Sequence, residues 1–260
     1  MQPHERLRAA IADGGRAGGP ALVAFLTAGF PRKTAFRAQL AAVAGEADAV
    51  EIGVPFTDPM ADGLTIQRSS RAALEAGVRL PWIFAELESM REPPDAPLLL
   101  MSYLNPLLAF GFEKLAARAA ATGVCGLIVP DMPFEESGPL RAALDTQGIA
   151  LVQLVTPATP SKRLSMLCRA SRGFVYAVTS AGTTGGGRDL PAGVAVYLDR
   201  VRAASALPVC AGFGIRDAAQ VAALAPHTDG VVVGSALVEV IEAGGDAVAF
   251  LRGLRRANPG

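Results

Sequence analysis

The chain has 260 residues, 51% of them hydrophobic, which is ample apolar material for one large core. Its 24 Lys and Arg balance 24 Asp and Glu, so the formal net charge of +0 supplies no field to gather nucleic acid or an anionic membrane, and any anion must be held by local geometry. No run approaches the ~18 apolar residues of a membrane span and the N-terminus lacks a signal-like apolar stretch, which predicts a cytoplasmic protein.

In chain order, a helical segment at 5–12 opens the sequence, outside the pattern that follows. Eight short apolar runs then recur at 21–27, 49–54, 98–102, 126–129, 150–155, 174–178, 208–211 and 230–233. Each is too short for a helix and carries Val, Ile or Leu with little polar alternation, the pattern of a parallel strand buried on both faces. Helical spacing fills 34–44, 112–121, 136–144, 161–170, 194–204 and 217–224, and a short helix at 236–241 follows the last run. This unbroken βα alternation, free of linkers and low-complexity segments, predicts a single domain over 1–260. Eight βα units in this length predict a (β/α)8 TIM barrel with an extra N-terminal helix. A doubly wound open sheet is the competing arrangement, but its glycine-rich fingerprint is missing after the first run, where Thr27-Ala28-Gly29-Phe30-Pro31 stands. Cys125, Cys168 and Cys210, an odd and unpatterned set, read as reduced core thiols.

A barrel of this kind works at the C-terminal ends of its strands, so strand ends and the loops after them hold the candidates. His4 near the N-terminus and His227 before the eighth run are both badly placed for histidine chemistry. No Lys or Arg occurs in any of the eight runs, which argues against a Schiff-base lysine. Without histidine a zinc site lacks ligands; Glu51, Asp58, Asp62 and Asp131 are the oxygen donors open to Mg²⁺, and no metal is expected. Carboxylates and Tyr176 remain for acid–base work. Glu51 shares a strand face with Ala49 and Gly53, opposite Val50, Ile52 and Val54. If the branched set packs on helices, Glu51 points into the barrel mouth, where the lack of a cation on neighbouring strands raises its pKa and suits it to donate and accept a proton. The alternative is a structural Glu bonded to loop backbone. Asp62 before Gly63 and Asp58 before Pro59 read first as turn residues.

Glycine clusters follow the last strands: Gly212-Phe213-Gly214 after the seventh, and Gly234-Ser235 after the eighth and before a short helix. Those are the places where this fold binds phosphate, because bare N–H groups and a helix N-terminus meet the anion there. Thr184-Gly185-Gly186-Gly187 after the sixth strand reads as a lid with further N–H donors.

Glu51-Ile52-Gly53-Val54-Pro55-Phe56-Thr57-Asp58-Pro59-Met60-Ala61-Asp62-Gly63 closely resembles the signature of the tryptophan synthase α subunit family. Phe25-Leu26-Thr27-Ala28-Gly29, Met101-Ser102-Tyr103-Leu104-Asn105-Pro106, Val129-Pro130-Asp131-Met132-Pro133, Gly182-Thr183-Thr184-Gly185, Gly212-Phe213-Gly214-Ile215 and Gly234-Ser235-Ala236 resemble its other blocks, in order. The resemblance implies a lyase that splits indole-3-glycerol phosphate into indole and glyceraldehyde 3-phosphate by a retro-aldol step. It implies Glu51 as the acid–base residue, Asp62 as acceptor of the indole N–H and Tyr176 near the substrate. It further implies phosphate on Gly185, Gly214, Gly234 and Ser235, an indole pocket of Phe25, Ile66, Met101 and Ile128, and a lid contact from Thr184. No cofactor is implied in this chain; a pyridoxal-phosphate β subunit is the implied partner in an α2β2 complex, facing Asp58, Pro59, Asn105 and Pro106. The competing readings are a free-standing lyase on the same substrate, another phosphate-binding barrel isomerase or synthase, and an idle subunit that only activates a partner.

Overall fold

In the computed structural model, which describes residues 1–13, 19–179, 190–212 and 214–255, the eight apolar runs become eight parallel strands that pair in sequence order and close on themselves. They are β1 (Ala21–Thr27), β2 (Ala49–Gly53), β3 (Leu98–Met101), β4 (Val124–Ile128), β5 (Ala150–Val155), β6 (Val175–Val178), β7 (Val209–Gly212) and β8 (Gly230–Val233). Closure is the pairing of β8 with β1, with Val233 beside Ala24. The expected barrel is therefore observed and the open sheet is excluded. The fourth strand starts two residues before the predicted run, because Val124 still pairs with Leu98 and a bulge precedes the pairing of Gly126 with Leu99.

The helices are α1 (Pro3–Ala12), α2 (Phe36–Glu46), α3 (Leu64–Glu75), α4 (Leu80–Glu88), α5 (Leu104–Phe110), α6 (Phe112–Ala121), α7 (Gly138–Asp145), α8 (Ser161–Ala170), α9 (Val194–Ala204), α10 (Ala218–Leu224), α11 (Ser235–Glu242) and α12 (Ala247–Arg255). Those expected at 112–121, 161–170 and 194–204 appear with the predicted bounds. Four others were not anticipated: α3 and α4 both follow β2, α5 precedes α6, and α12 ends the described chain. α12 is fastened to the barrel through Arg255, which reaches the buried Asp48 carboxylate at 2.8 Å and donates from Nε and one terminal nitrogen to Glu46 O. Asp48 also accepts from Leu22 N at 2.7 Å, so its buried charge is compensated.

The extra N-terminal helix has a packing role. Leu7 and Ile11 are completely buried, and Leu7 lies against Gly126 of β4 and Gly173 before β6, while Ile11 lies against Gly230 of β8. Glycines on the inner face of the strands leave the space these side chains fill, so α1 plugs the N-terminal end of the barrel. The same device works at the other end. A Cβ on Gly53 would overlap the Phe25 ring, and one on Gly212 would overlap the Tyr176 ring. Two aromatic rings thus lie across bare backbone on neighbouring strands, beneath the mouth where the chemistry is sought. Cys125, Cys168 and Cys210 are buried free thiols.

Candidate active site

A cavity enclosing about 600 Å³, open solvent at its mouth included, occupies the C-terminal end of the barrel. Phe25 of β1, Glu51 of β2, Met101 of β3 and Tyr176 of β6 form its floor and walls. Asp62 and Ile66 enter from the β2–α3 connection; Gly214, Ile215 and Arg216 follow β7; Gly234, Ser235 and Ala236 follow β8.

Glu51 is 1% exposed. The strand alternation that hides Val50 and Ile52 among helices turns Glu51 inward, next to Phe25 and Leu99 in register. Its Oε2 has no hydrogen-bond partner, and burial first, then the nearby Asp62 charge, pushes its pKa from 4.5 up to about 8. The structural alternative, a Glu spent on loop backbone, does not account for a buried oxygen left open toward a cavity.

Asp62 is both a turn residue and a site residue. Its N–H donates to Pro59 O at 3.0 Å, as the turn reading requires, while its side chain enters the cavity. The Tyr103 hydroxyl donates to Asp62 Oδ2 at 3.1 Å and accepts from Ala61 N at 3.0 Å, and Gln67 Nε2 donates to Asp62 O at 2.8 Å. Burial raises the Asp62 pKa to about 6, against the pull of the Tyr103 bond, which lowers it. α3 is pinned by Ser69 and Thr27, whose hydroxyls lie 2.6 Å apart, and this fixes Ile66 over the cavity.

Tyr176 lines the cavity, and burial first, then the Glu51 charge, drives its pKa well upward, so it stands there as a neutral phenol. Ile128 does not line the cavity: it is fully buried at the end of β4, one strand beyond Met101, and neither β4 nor β5 contributes a residue to the lining. Asp58 is exposed and bonded to Thr57 Oγ1, and Asp131 is spent capping α5, accepting from Leu104 N at 2.9 Å. The four candidate oxygen donors for a divalent ion therefore do not converge, and among the described residues no three His, Cys, Asp or Glu side chains gather around one point. His4 bonds Gly148 O and His227 bonds Asp199, both away from the cavity. Asp58, Pro59, Asn105 and Pro106 lie at the surface, exposed or half-buried; the first two are in the loop after β2, and Asn105 and Pro106, expected in a loop, fall in the first turn of α5 after β3. Gly185 and Thr184 fall outside the described residues.

At the far end of the cavity, Gly234 leads into α11 with φ −111° and ψ −87°, and Ser235 begins the helix. Ser235 Oγ is buried without a hydrogen-bond partner, and the first-turn N–H groups of a helix are also unsatisfied from within. An orphaned hydroxyl beside a helix N-terminus suits an anion. Gly214, with φ +88°, takes a left-handed turn that disfavours any side chain. Two residues at the cavity, one supporting Asp62 and one in the lining, escaped the sequence reading. Tyr103 has its signal in the Ser102-Tyr103 pair directly after the third strand, but nothing local says that it will meet Asp62 in the loop of the neighbouring strand. Arg216 sits two residues after Gly214, in a loop where glycine rather than charge draws the eye.

The sequence pattern of the family described as tryptophan synthase alpha chain matches residues 12–252. The chain is 48% identical over 236 residues to the tryptophan synthase alpha chain of Solidesulfovibrio magneticus, covering 90% of this chain and 92% of that one. It is 47% identical to the tryptophan synthase alpha chain of a Caulobacter species, covering 92% of this chain and 86% of the relative. Its structure is similar to a chain of Mycobacterium tuberculosis tryptophan synthase, with TM-score 0.86, 35% identity, and 98% and 96% of the two chains covered. It is also similar to a chain of a tryptophan synthase complex from Pyrococcus furiosus, with TM-score 0.82, 35% identity, and 91% and 96% covered.

Proposed function

Because the chain belongs to the tryptophan synthase alpha chain family, enzymes of tryptophan synthesis, we propose that it is a carbon–carbon lyase cleaving indole-3-glycerol phosphate to indole and glyceraldehyde 3-phosphate. The observation that carries the reading is a pair of buried carboxyls in one cavity, Glu51 and Asp62, with pKa values set apart at about 8 and about 6. Near pH 7 this favours a protonated Glu51 beside an ionised Asp62.

The chemistry needs that combination. Glu51 donates its proton to indole C3, and the ring nitrogen takes up the positive charge. Asp62 accepts the indole N–H and stabilises that charge where water is excluded. The Glu51 carboxylate then takes the proton of the glycerol hydroxyl next to the ring, the oxygen becomes a carbonyl, and the bond from C3 to the side chain breaks, its electron pair returning to the ring. Glu51 ends protonated as it began, so one group serves as acid and base. Phe25, Ile66 and Met101 offer an apolar bed for the indole, and Gly214, Gly234 and Ser235 a cradle for the phosphate. These steps ask no cofactor of this chain.

A β subunit carrying pyridoxal phosphate is the proposed partner, taking up the indole. The relevant surface is the β2–α3 loop holding Asp58 and Pro59 together with the first turn of α5, which holds Asn105 and Pro106. The Phe56 and Tyr103 rings stack at 5.2 Å between them, and the large apolar residues Met60, Leu64 and Leu108 stand exposed there. The test is conversion of indole-3-glycerol phosphate to indole by the purified chain, alone and with a β subunit. Slow turnover alone and strong activation in the complex are expected. Full activity alone that a β subunit leaves unchanged would indicate a free-standing lyase, and no turnover in either case would overturn the assignment.

A further inference from the structure

Arg216 is the cationic side chain among the described residues lining the cavity, and it stands at the end that carries Gly214, Gly234 and Ser235. Its guanidinium reaches across to α11, where both terminal nitrogens face the Glu239 carboxylate. Glu239 also accepts from Thr65 Oγ1 at 2.9 Å, so its carboxylate is anchored on two elements and fixes the arginine in turn. The pair uses the end of the guanidinium. It leaves the Nε–H edge to another partner, since arginine has five N–H donors in a planar fork.

Glu239 lies one turn into the helix whose N-terminus and Ser235 hydroxyl form the anion cradle. An uncompensated carboxylate there would repel a phosphate and work against the helix dipole. Arg216 cancels that charge and still has donors to spend.

We propose that Arg216 is a side-chain ligand for the substrate phosphate, held at the cavity rim by Glu239 and donating to the anion from the edge that the ion pair leaves open. This rests on the cavity being the site for a phosphorylated substrate. It adds a charged, side-chain determinant to a cradle otherwise made of backbone N–H groups and one hydroxyl. The side chain is 36% exposed, so the contribution is that of a solvent-screened charged hydrogen bond, about tenfold in affinity.

The experiment measures wild-type turnover of indole-3-glycerol phosphate first, with the β subunit present; failure there overturns the functional reading itself, whatever Arg216 does. Binding of glycerol 3-phosphate and of indole is then titrated separately in wild type, R216Q, R216K and R216Q/E239Q, each checked by its thermal melt. R216Q is expected to weaken glycerol 3-phosphate about tenfold and leave indole within twofold. R216K should recover most of the loss, and removing the Glu239 charge in R216Q/E239Q should recover part of it. In the wild type, glycerol 3-phosphate binding should also fall as salt is raised, a readout that needs no variant. Unchanged glycerol 3-phosphate binding in R216Q, or equal losses for glycerol 3-phosphate and indole, would overturn the proposal in favour of a loop staple.

Discussion

Replacing Glu51 with glutamine tests the central electrostatic feature twice, once through stability and once through turnover. Glutamine matches the neutral acid in shape and cannot titrate. In the folded protein Glu51 holds its proton up to about pH 8, whereas in the unfolded chain it loses it near 4.5. Between those values the unfolded state binds fewer protons, so the wild type loses stability as pH rises, at roughly 1.4 kcal/mol per pH unit where the difference is complete. From pH 5 to pH 8 that amounts to about 3 to 4 kcal/mol of stability, fully retained below 4.5 and lost by the time the pH has passed 8. Glu51→Gln removes this one dependence. Urea unfolding across pH 5 to 8 should therefore show the variant gaining on the wild type with rising pH, by about 1 M in midpoint for an m-value near 3 kcal/mol per M. A constant offset from the lost or strained amide contacts is irrelevant to the slope. The same variant should lose turnover by 10²-fold or more, the usual worth of a positioned acid–base group. Stability curves that run parallel from pH 5 to 8 would refute the raised pKa, and retained turnover would refute the role.

The pH profile of kcat/KM should be bell-shaped, rising near 6 as Asp62 ionises and falling near 8 as Glu51 loses its proton; a flat profile from pH 5 to 9 contradicts the assignment. Tyr103→Phe removes the bond that lowers the Asp62 pKa, so the acidic limb should move upward and kcat/KM at pH 7 should drop about tenfold, as expected for a charged hydrogen bond. If the limb stays where it was, Tyr103 does not control Asp62. Gly53→Ala drives a methyl into the Phe25 ring, which must tilt into the cavity; a loss of about 1 to 3 kcal/mol in stability and a raised KM are expected, and a variant with the wild-type melting curve and KM would show that Phe25 yields freely.

Much of the fold was legible because parallel strands buried on both faces are apolar at nearly every position, Thr27, Glu51 and Gln153 being exceptions. That produces short, evenly recurring runs, and β1, β5 and β8 match theirs residue for residue. Helices on the outside are less constrained. α3 carries Arg68, Ser69 and Ser70 in its middle, and Ser69 and Ser70 are nonetheless buried, with Ser69 bonded to Thr27 and to Ile66 O. Apolar periodicity misses such a helix because part of its packing is polar. α5 spans Leu104–Phe110 only, too short for a periodic signal.

At the site, the inward placement of Glu51 was legible in the sequence, since strand alternation puts it on the face opposite Val50, Ile52 and Val54. Asp62 needed the family resemblance, because an Asp before Gly carries an ordinary turn explanation, and here that explanation is also true. What only the tertiary structure decided are the contacts between distant segments: Tyr103 holding Asp62 from 41 residues away, Arg216 meeting Glu239 and Thr65, Leu7 plugging the barrel floor, and Ile128 falling outside the cavity. The physical reason is one of range. Burial pattern and strand alternation are local properties written along the chain, whereas a hydrogen bond or an ion pair between the connections of neighbouring strands depends on how eight strands tilt and close, and no short stretch of sequence carries that geometry.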